Sequence, residues 1–260
     1  MNSSEALILG LLQGLTEFLP ISSSGHLELG KVLLNLEQKE DIVFTVVVHG
    51  ATVLSTLLVF FTEIKKLITD SLQMQWNEST QYIGKLALSL LPVAIVGLLW
   101  EEQIEILFTG NLLLVGSALL LTSLLLFLAT RIKNRGRAIS FSDAFIIGMA
   151  QAAAVLPGLS RSGATISTGL LLGNDKAKVT EFSFLMVLVP VLGANVKILL
   201  SGDINLSGDI RLTPLIVGFV AAFMAGYVAC QWMISIVKKG KLIYFSMYCL
   251  LIGLLAIIFS

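Results

Sequence analysis

The sequence has 260 residues, of which 56% are hydrophobic and only 13% charged, whereas an average soluble domain carries about 25% charged residues. This composition predicts an integral membrane protein and excludes an ordinary soluble domain. The formal net charge is zero, and no long basic tract indicates nucleic-acid binding.

Six apolar stretches are long enough, or nearly so, to cross a membrane as a helix, which takes about 20 residues. Cys230 and Cys249 lie within the last two of these stretches, where a buried thiol acts as a small hydrophobic group, so no disulfide is expected. The six predicted spans are 42–61, 86–100, 112–130, 182–200, 215–237 and 243–259.

Two further apolar segments, 6–19 and 144–156, are too short to span and end next to a proline that precedes a cluster of serine and glycine. Each cluster is followed by another short apolar piece, 27–36 or 164–172. Broken helices at membrane depth are tolerated only where the backbone lines a cavity or is buried in protein. We therefore predict two re-entrant hairpins, the first hairpin (6–36) and the second hairpin (144–172).

Lysine and arginine in short loops indicate which side of the membrane each loop occupies. The connections 62–85, 131–142, 174–181 and 235–242 are basic, whereas 101–110 and 201–212 are not. With six spans, we expect the basic loops to lie in the cytoplasm and both termini to lie outside. Because three spans separate the hairpins, the first enters from outside and the second from the cytoplasm.

Several residues of the first hairpin recur in the second at one constant offset. A hairpin followed by three spans, occurring twice, is typical of an inverted-topology repeat with its site between the halves, near the midplane. We therefore predict an all-α polytopic membrane protein with six transmembrane helices and two re-entrant hairpins, forming a single domain (1–260) of two inverted repeats, 1–130 and 131–260. The recurring residues are Gly10, Gln13 and Gly25, matched by Gly148, Gln151 and Gly163.

The first hairpin carries a carboxylate inside an apolar segment. Gln13 and Glu17 are four residues apart and share one helix face. An ionisable group at membrane depth is costly, which makes Glu17 a candidate functional residue. Gln13 is equally consistent with a hydrogen bond between packed helices.

A polar cluster follows Pro20. Its serines can cap a helix whose free backbone N–H groups suit an anion. His26, directly after the cluster, can act as a proton shuttle, a nucleophile or a phosphate ligand. His49, farther along, either lines the cavity or is a packing residue. The cluster consists of Ser22, Ser23, Ser24 and Gly25.

The second hairpin offers a similar helix start together with a positive charge. The guanidinium of Arg161 suits bidentate binding of phosphate, or it pairs with Glu17 across the repeat interface. The surrounding groups are caps or hydroxyl donors: Ser160, Ser162, Gly163 and Thr165. We interpret the two hairpins together as one intramembrane site for a phosphate group.

The motifs QGLTE (13–17), PISSSGH (20–26) and PGLSRSGAT (157–165) together resemble the undecaprenyl-diphosphate phosphatase family, the bacitracin-resistance proteins of bacterial inner membranes. The resemblance implies hydrolysis of undecaprenyl diphosphate to undecaprenyl phosphate and phosphate, aided by Mg²⁺ or Ca²⁺, which recycles the lipid carrier of peptidoglycan synthesis. It also implies a multi-pass protein of the inner membrane. Together with the orientation above, we predict a site open to the outer leaflet. Repeats with broken helices also occur in transporters, so the competing function is a carrier of a lipid phosphate or another anion.

Carried over by motif position, the resemblance makes Glu17 a metal ligand or general base, Ser23 a nucleophile, His26 an acid, base or alternative nucleophile, and Arg161 the phosphate clamp. The family pattern begins with Glu or Gln, and Gln13 here shifts the metal or base role onto Glu17, with Gln13 as second metal ligand. Attack by Ser23, by His26 or by water is left open, as is assembly into a homo-oligomer. The expected phosphate-binding groups are Ser22, Ser24, Gly25, Ser160, Ser162, Gly163 and Thr165.

Overall fold

The computed structural model describes residues 1–33, 41–100, 103, 111–132, 135–200 and 212–260, and over these ranges it forms helices without a strand. The predicted all-α class is confirmed. Most of the predicted connections 101–110 and 201–212, and the end of the first hairpin at 34–36, lie outside the described residues. The helices are α1 (Ser3–Phe18), α2 (Ser23–Leu33), α3 (Asp41–Val59), α4 (Phe61–Ser71), α5 (Glu78–Leu99), α6 (Leu112–Arg131), α7 (Phe141–Ala153), α8 (Arg161–Leu171), α9 (Lys176–Met186), α10 (Leu188–Leu200), α11 (Leu212–Lys238) and α12 (Ile243–Ile258).

Three helices in the described part of the chain, α5, α6 and α11, are long and apolar enough to cross a membrane. A fourth span results if α3 and α4 count as one, although the chain bends by 72° between them. The bend falls at Phe60, which is buried at 5% exposure. The helix α12 is apolar but only 16 residues long. These helices agree with a membrane protein.

The prediction of one continuous helix over 182–200 is wrong. The structure divides this stretch at Val187 into α9 and α10, and α9 already begins at Lys176. Pro190 explains the break, because proline has no N–H for the carbonyl of Met186 and its ring crowds that carbonyl. Asp175 explains the early start, since its side chain accepts hydrogen bonds from the backbone of Ala177 and Lys178.

The helix predicted over 86–100 also starts earlier than expected, at Glu78. Asn77 caps it by accepting a hydrogen bond from the Thr80 N–H at 2.9 Å. A strong cap allows the polar first turns to be helical although they lack the apolar character of a span.

Matching helix starts recur in the two halves of the chain. Asn2 begins α1 with a capping box that includes Glu5, and Ser140 begins α7 with a capping box that includes Asp143. The starts of α2 and α8 are separated by the same offset as these caps. The local signals that start the hairpin helices are therefore repeated along the sequence.

Close helix crossings fix the first hairpin against the second half. A Cβ atom added at Gly10 would lie 2.5 Å from the Gly218 carbonyl oxygen, and one at Gly14 would lie 2.5 Å from that of Ala222. The helix α1 can therefore approach α11 closely only because these positions are glycine. In the second hairpin, α7 packs against α5 of the first half.

Candidate active site

The two hairpins contact each other through their polar breaks, as the sequence predicts. Arg161 at the start of α8 forms an ion pair with Glu17 near the end of α1. The Ser162 hydroxyl donates to the Leu19 carbonyl oxygen at 3.3 Å. Contacts between residues so distant in sequence bring both breaks into a single polar cluster.

The backbone at the breaks adopts conformations that allow this approach. Ser22 lies in the left-handed region with φ +71°, and Gly158 has φ +88°. A Cβ atom at Gly158 would lie 2.5 Å from the Val115 carbonyl oxygen, so glycine is required there. A left-handed serine is uncommon, and such strain concentrates at functional sites.

The carboxylate of Glu17 is the centre of the cluster. Its Oε2 accepts hydrogen bonds from Gln13 Nε2 at 2.9 Å and from Ser23 Oγ at 2.8 Å, while its Oε1 accepts from Arg161 Nη2. The side chains of Glu17 and Arg161 are only 10% and 19% exposed. Burying these charges is tolerable because each is paired and hydrogen-bonded.

Two buried polar atoms beside this carboxylate have no hydrogen-bond partner in the described structure: Nη1 of Arg161 and Oε1 of Gln13. The assignment of the Gln13 amide follows from chemistry, because the atom that contacts a carboxylate must be the donor nitrogen. Unpaired buried groups are costly. The site therefore keeps one donor suited to an anion and one oxygen suited to a cation or a hydroxyl.

The first turns of α2 and α8 have the same hydrogen-bond pattern. Ser160 Oγ accepts from the Gly163 N–H at 3.1 Å, and Ser22 Oγ accepts from the Gly25 N–H at 3.3 Å. In each hairpin a second serine hydroxyl, that of Ser162 or Ser24, lies 3.3 Å from the first. The predicted serine caps are confirmed at Ser160 and Ser22, and all four hydroxyls have partners, that of Ser162 also in the first hairpin through Leu19.

Thr165 lies one turn into α8, and its hydroxyl is engaged elsewhere. It donates to the Arg161 carbonyl oxygen at 2.8 Å and lies 2.6 Å from the Ser183 hydroxyl. In this geometry Thr165 ties the first turn of α8 to α9.

His26 is buried, with 7% exposure, and its hydrogen bonds lie outside the Glu17 cluster. Its Nδ1 lies 2.8 Å from the Ser22 carbonyl oxygen, and its Nε2 lies 2.8 Å from the Tyr248 hydroxyl. Sequence reasoning missed Tyr248, and no local pattern in α12 distinguishes it. His49 donates from Nδ1 to the Thr45 carbonyl at 2.8 Å, because a carbonyl only accepts.

A narrow cleft of about 10 Å³, which is room for about one water molecule, lies over the ion pair. Glu17 and Arg161 form its polar end, with the hydroxyl-bearing Thr52 and Thr56 on the α3 side. The remaining wall is apolar and consists of Phe18, Val53, Phe184, Val187, Leu188 and Val191. The cleft is therefore charged at one end and mostly apolar along the rest of its wall.

A divalent cation would find only part of its ligands here. No group of three or more His, Cys, Asp or Glu side chains arranged for a metal occurs within the described residues. The carboxylate of Glu17 and the amide of Gln13, whose Oε1 has no partner in the described structure, nevertheless lie in contact and offer oxygen ligands. Mg²⁺ is commonly held by one or two protein oxygens plus substrate phosphates and water, so these residues fit a cation that arrives with a phosphorylated ligand.

Comparison with known proteins gives matches over nearly the whole chain. The family described as bacitracin resistance protein BacA matches residues 6–255. A protein of Christiangramia forsetii named undecaprenyl-diphosphatase is 54% identical over 262 residues, covering 100% of this chain and 99% of the relative. Proteins of the same name from Bacteroides fragilis and Carboxydothermus hydrogenoformans are 52% and 40% identical, covering 100% and 97% of this chain and 99% and 95% of the relatives.

Proposed function

The chain belongs to the bacitracin resistance protein BacA family, and from this premise we propose that it hydrolyses undecaprenyl diphosphate to undecaprenyl phosphate and inorganic phosphate. The product is the lipid carrier that peptidoglycan synthesis uses again. The observation that carries the proposal is the buried cluster of Glu17, Ser23 and Arg161 at the polar end of an otherwise apolar cleft.

Arg161 is the group that would bind the diphosphate. Its Nη2 is paired with Glu17, but its buried Nη1 has no partner in the described structure. A phosphate oxygen would satisfy this donor with a charge-assisted hydrogen bond, which is stronger than a neutral one. The same positive charge stabilises the negative charge that develops on the phosphoryl group during transfer.

Glu17 and Ser23 would carry out the attack. Because the Ser23 hydroxyl donates to Glu17 Oε2 at 2.8 Å, the carboxylate can accept its proton as the serine oxygen bonds to the terminal phosphorus. The bridging P–O bond then breaks, and undecaprenyl phosphate leaves. Water then attacks the phosphoserine phosphorus, Glu17 returns its proton to the serine oxygen as the Ser23 O–P bond breaks, and inorganic phosphate leaves.

A divalent cation, Mg²⁺ or Ca²⁺, would be held by Glu17 and Gln13 together with the diphosphate oxygens. When bound, such a cation neutralises phosphate charge and stabilises the leaving group. Gln13 contributes an oxygen that has no hydrogen-bond partner in the described structure, and its Nε2 donates to the Glu17 carboxylate and fixes its orientation.

The apolar wall of the cleft explains how a lipid substrate would reach this site. Phe184, Val187 and Leu188 line the cleft beside the ion pair, and Val189 on the same stretch is 59% exposed. The prenyl tail would stay against these apolar side chains, in or near the bilayer, and the narrow cleft must widen to admit the diphosphate at its polar end.

For the whole chain, the proposal includes six spans, two re-entrant hairpins and an inverted-topology repeat in the bacterial inner membrane. The recurring capping boxes, and the packing of the first helix of each hairpin on a long helix of the other half, support the repeat. The basic loops support termini outside and a site open to the outer leaflet.

The direct test is phosphate release by purified protein in detergent, given undecaprenyl diphosphate with Mg²⁺ or Ca²⁺. We expect turnover that EDTA removes and added cation restores. Arg161→Ala should lower it by about 100-fold or more, the scale of losing a group that stabilises developing charge. Arg131→Ala, an exposed arginine on α6, is the matched control and should keep turnover. No release, or release that Arg161→Ala leaves unchanged, would overturn the proposal.

A further inference from the structure

Tyr248 on α12 contacts the buried His26 from a position 222 residues later in the chain. Its hydroxyl lies 2.8 Å from His26 Nε2. The two rings are stacked, with centroids 5.6 Å apart and an interplanar angle of 17°. The contact therefore joins the first hairpin to the last helix through both a hydrogen bond and ring packing.

The hydrogen bonds of His26 determine which ring nitrogen carries the proton. Its Nδ1 lies 2.8 Å from the Ser22 carbonyl oxygen, and a carbonyl can only accept, so Nδ1 must be the donor. In the neutral ring Nε2 is then an acceptor, and the Tyr248 hydroxyl donates to it. A tyrosine hydroxyl can also accept, so the same contact persists if His26 gains a proton.

Ser22 reinforces this arrangement. Its carbonyl oxygen accepts from the His26 backbone N–H at 3.1 Å as well as from the ring Nδ1. Ser22 also holds the uncommon left-handed conformation, with φ +71°. The imidazole is therefore held on one side by a constrained backbone and on the other by Tyr248.

We propose that Tyr248 is a positioning residue that, by donating to Nε2, holds the His26 ring in the Nδ1–H tautomer against the Ser22 carbonyl and thereby fixes the start of α2, where Ser23 lies. The role in turnover rests on the proposed phosphatase function, whereas the tautomer does not. Tyr248 acts through His26, as the hydrogen-bond partner that fixes the tautomer and orientation of the imidazole ring.

Tyr248→Phe tests the hydroxyl, because it removes the hydrogen bond and retains the stacked ring. We expect kcat for phosphate release to fall about tenfold, the scale of one buried hydrogen bond, while KM changes by less than about twofold. Tyr244→Phe, one turn earlier on α12 and 64% exposed, is the matched control and should retain wild-type kcat. Equal kcat values for the two variants would overturn the proposal.

A double-mutant cycle with His26→Gln shows whether Tyr248 acts through His26. The double variant should be no slower than His26→Gln alone, because the partner through which Tyr248 acts is already gone. If the loss of kcat in the double variant equalled the product of the two single losses, Tyr248 would act independently of His26, which would contradict the proposal.

Nitrogen NMR of protein with ¹⁵N-labelled histidine tests the tautomer without relying on turnover. The chain has two histidines, and a His49→Gln sample identifies the His26 signals. The neutral wild-type ring should show a protonated Nδ1 and an unprotonated Nε2, and Tyr248→Phe should shift the Nε2 signal where Tyr244→Phe does not. A protonated Nε2 in the neutral wild type would overturn the proposal. If the wild type released no phosphate, the phosphatase function would fail while this spectrum still tested the tautomer.

Discussion

The Glu17 carboxylate shows how one residue can serve structure and chemistry together. It accepts hydrogen bonds from Gln13, Ser23 and Arg161, two of them from its own hairpin and one from the other. The sequence was sufficient to single out Glu17 and Arg161, because charges in apolar segments are rare and need partners. It left open whether they pair, since only the folded chain brings them together. Tyr248 was not predictable, because a tyrosine in an apolar helix carries no signal of its partner.

Ser23→Ala tests the nucleophile at this scale. Loss of the hydroxyl that donates to Glu17 should reduce phosphate release by at least about 100-fold if serine attacks. Acid-quenched wild-type protein, analysed by peptide mass spectrometry, should carry phosphate on Ser23. Ser117→Ala, an exposed helix serine that donates to the Leu113 carbonyl, is the control and should keep wild-type turnover. Near-normal turnover of Ser23→Ala would instead indicate attack by water or by His26.

At the scale of the elements, the sequence predicted the two short helices of each hairpin, because a proline and a serine cluster mark the break between them. The break at Val187 was missed although its cause, Pro190, stands in the sequence. An apolar run with one internal proline can form one helix or two. The helix α5 continues through Pro92, whereas the 182–200 stretch is divided at Val187, near Pro190. Tertiary packing decides whether the helix is continuous, and the local sequence pattern does not reveal that packing.

Gly10→Ala tests the close crossing of α1 and α11. The added methyl would meet the Gly218 carbonyl oxygen at 2.5 Å, so the helices must separate, at a cost of about 1–3 kcal/mol in the free energy of unfolding. Gly97→Ala is the control, because a Cβ there meets nothing within 4 Å and alanine favours a helix by about 0.5–1 kcal/mol. Thermal unfolding in detergent should show the first variant destabilised and the second unchanged or stabilised. Equal stability of the two would contradict the tight crossing.

At the scale of the whole molecule, loop charge and the recurrence of motifs predicted that the two breaks meet, and the ion pair between Glu17 and Arg161 places them together. Which helices pack side by side was less predictable. The packing of α1 on α11 and of α7 on α5 depends on small residues at crossings, which the sequence alone does not pair.

Cysteine labelling of intact cells tests the proposed orientation. Both native cysteines, Cys230 and Cys249, are free and buried, so background labelling should be low. Ala138→Cys lies in an exposed part of the basic 131–142 loop and should resist a membrane-impermeant maleimide, whereas Gln103→Cys, also exposed, should react. Efficient labelling at position 138 from outside would invert the orientation.

The claim that both hairpins build one catalytic site is tested most directly by a double-mutant cycle on phosphate release. The measurement compares kcat/KM for the wild type, Glu17→Gln, Arg161→Ala and the double variant. We expect kcat/KM to fall about 100-fold or more in each single variant. The kcat/KM of the double variant should be close to that of the less active single variant, because the effects of residues that act as a unit are not additive. Losses that multiply, or a single variant with wild-type turnover, would contradict the shared site.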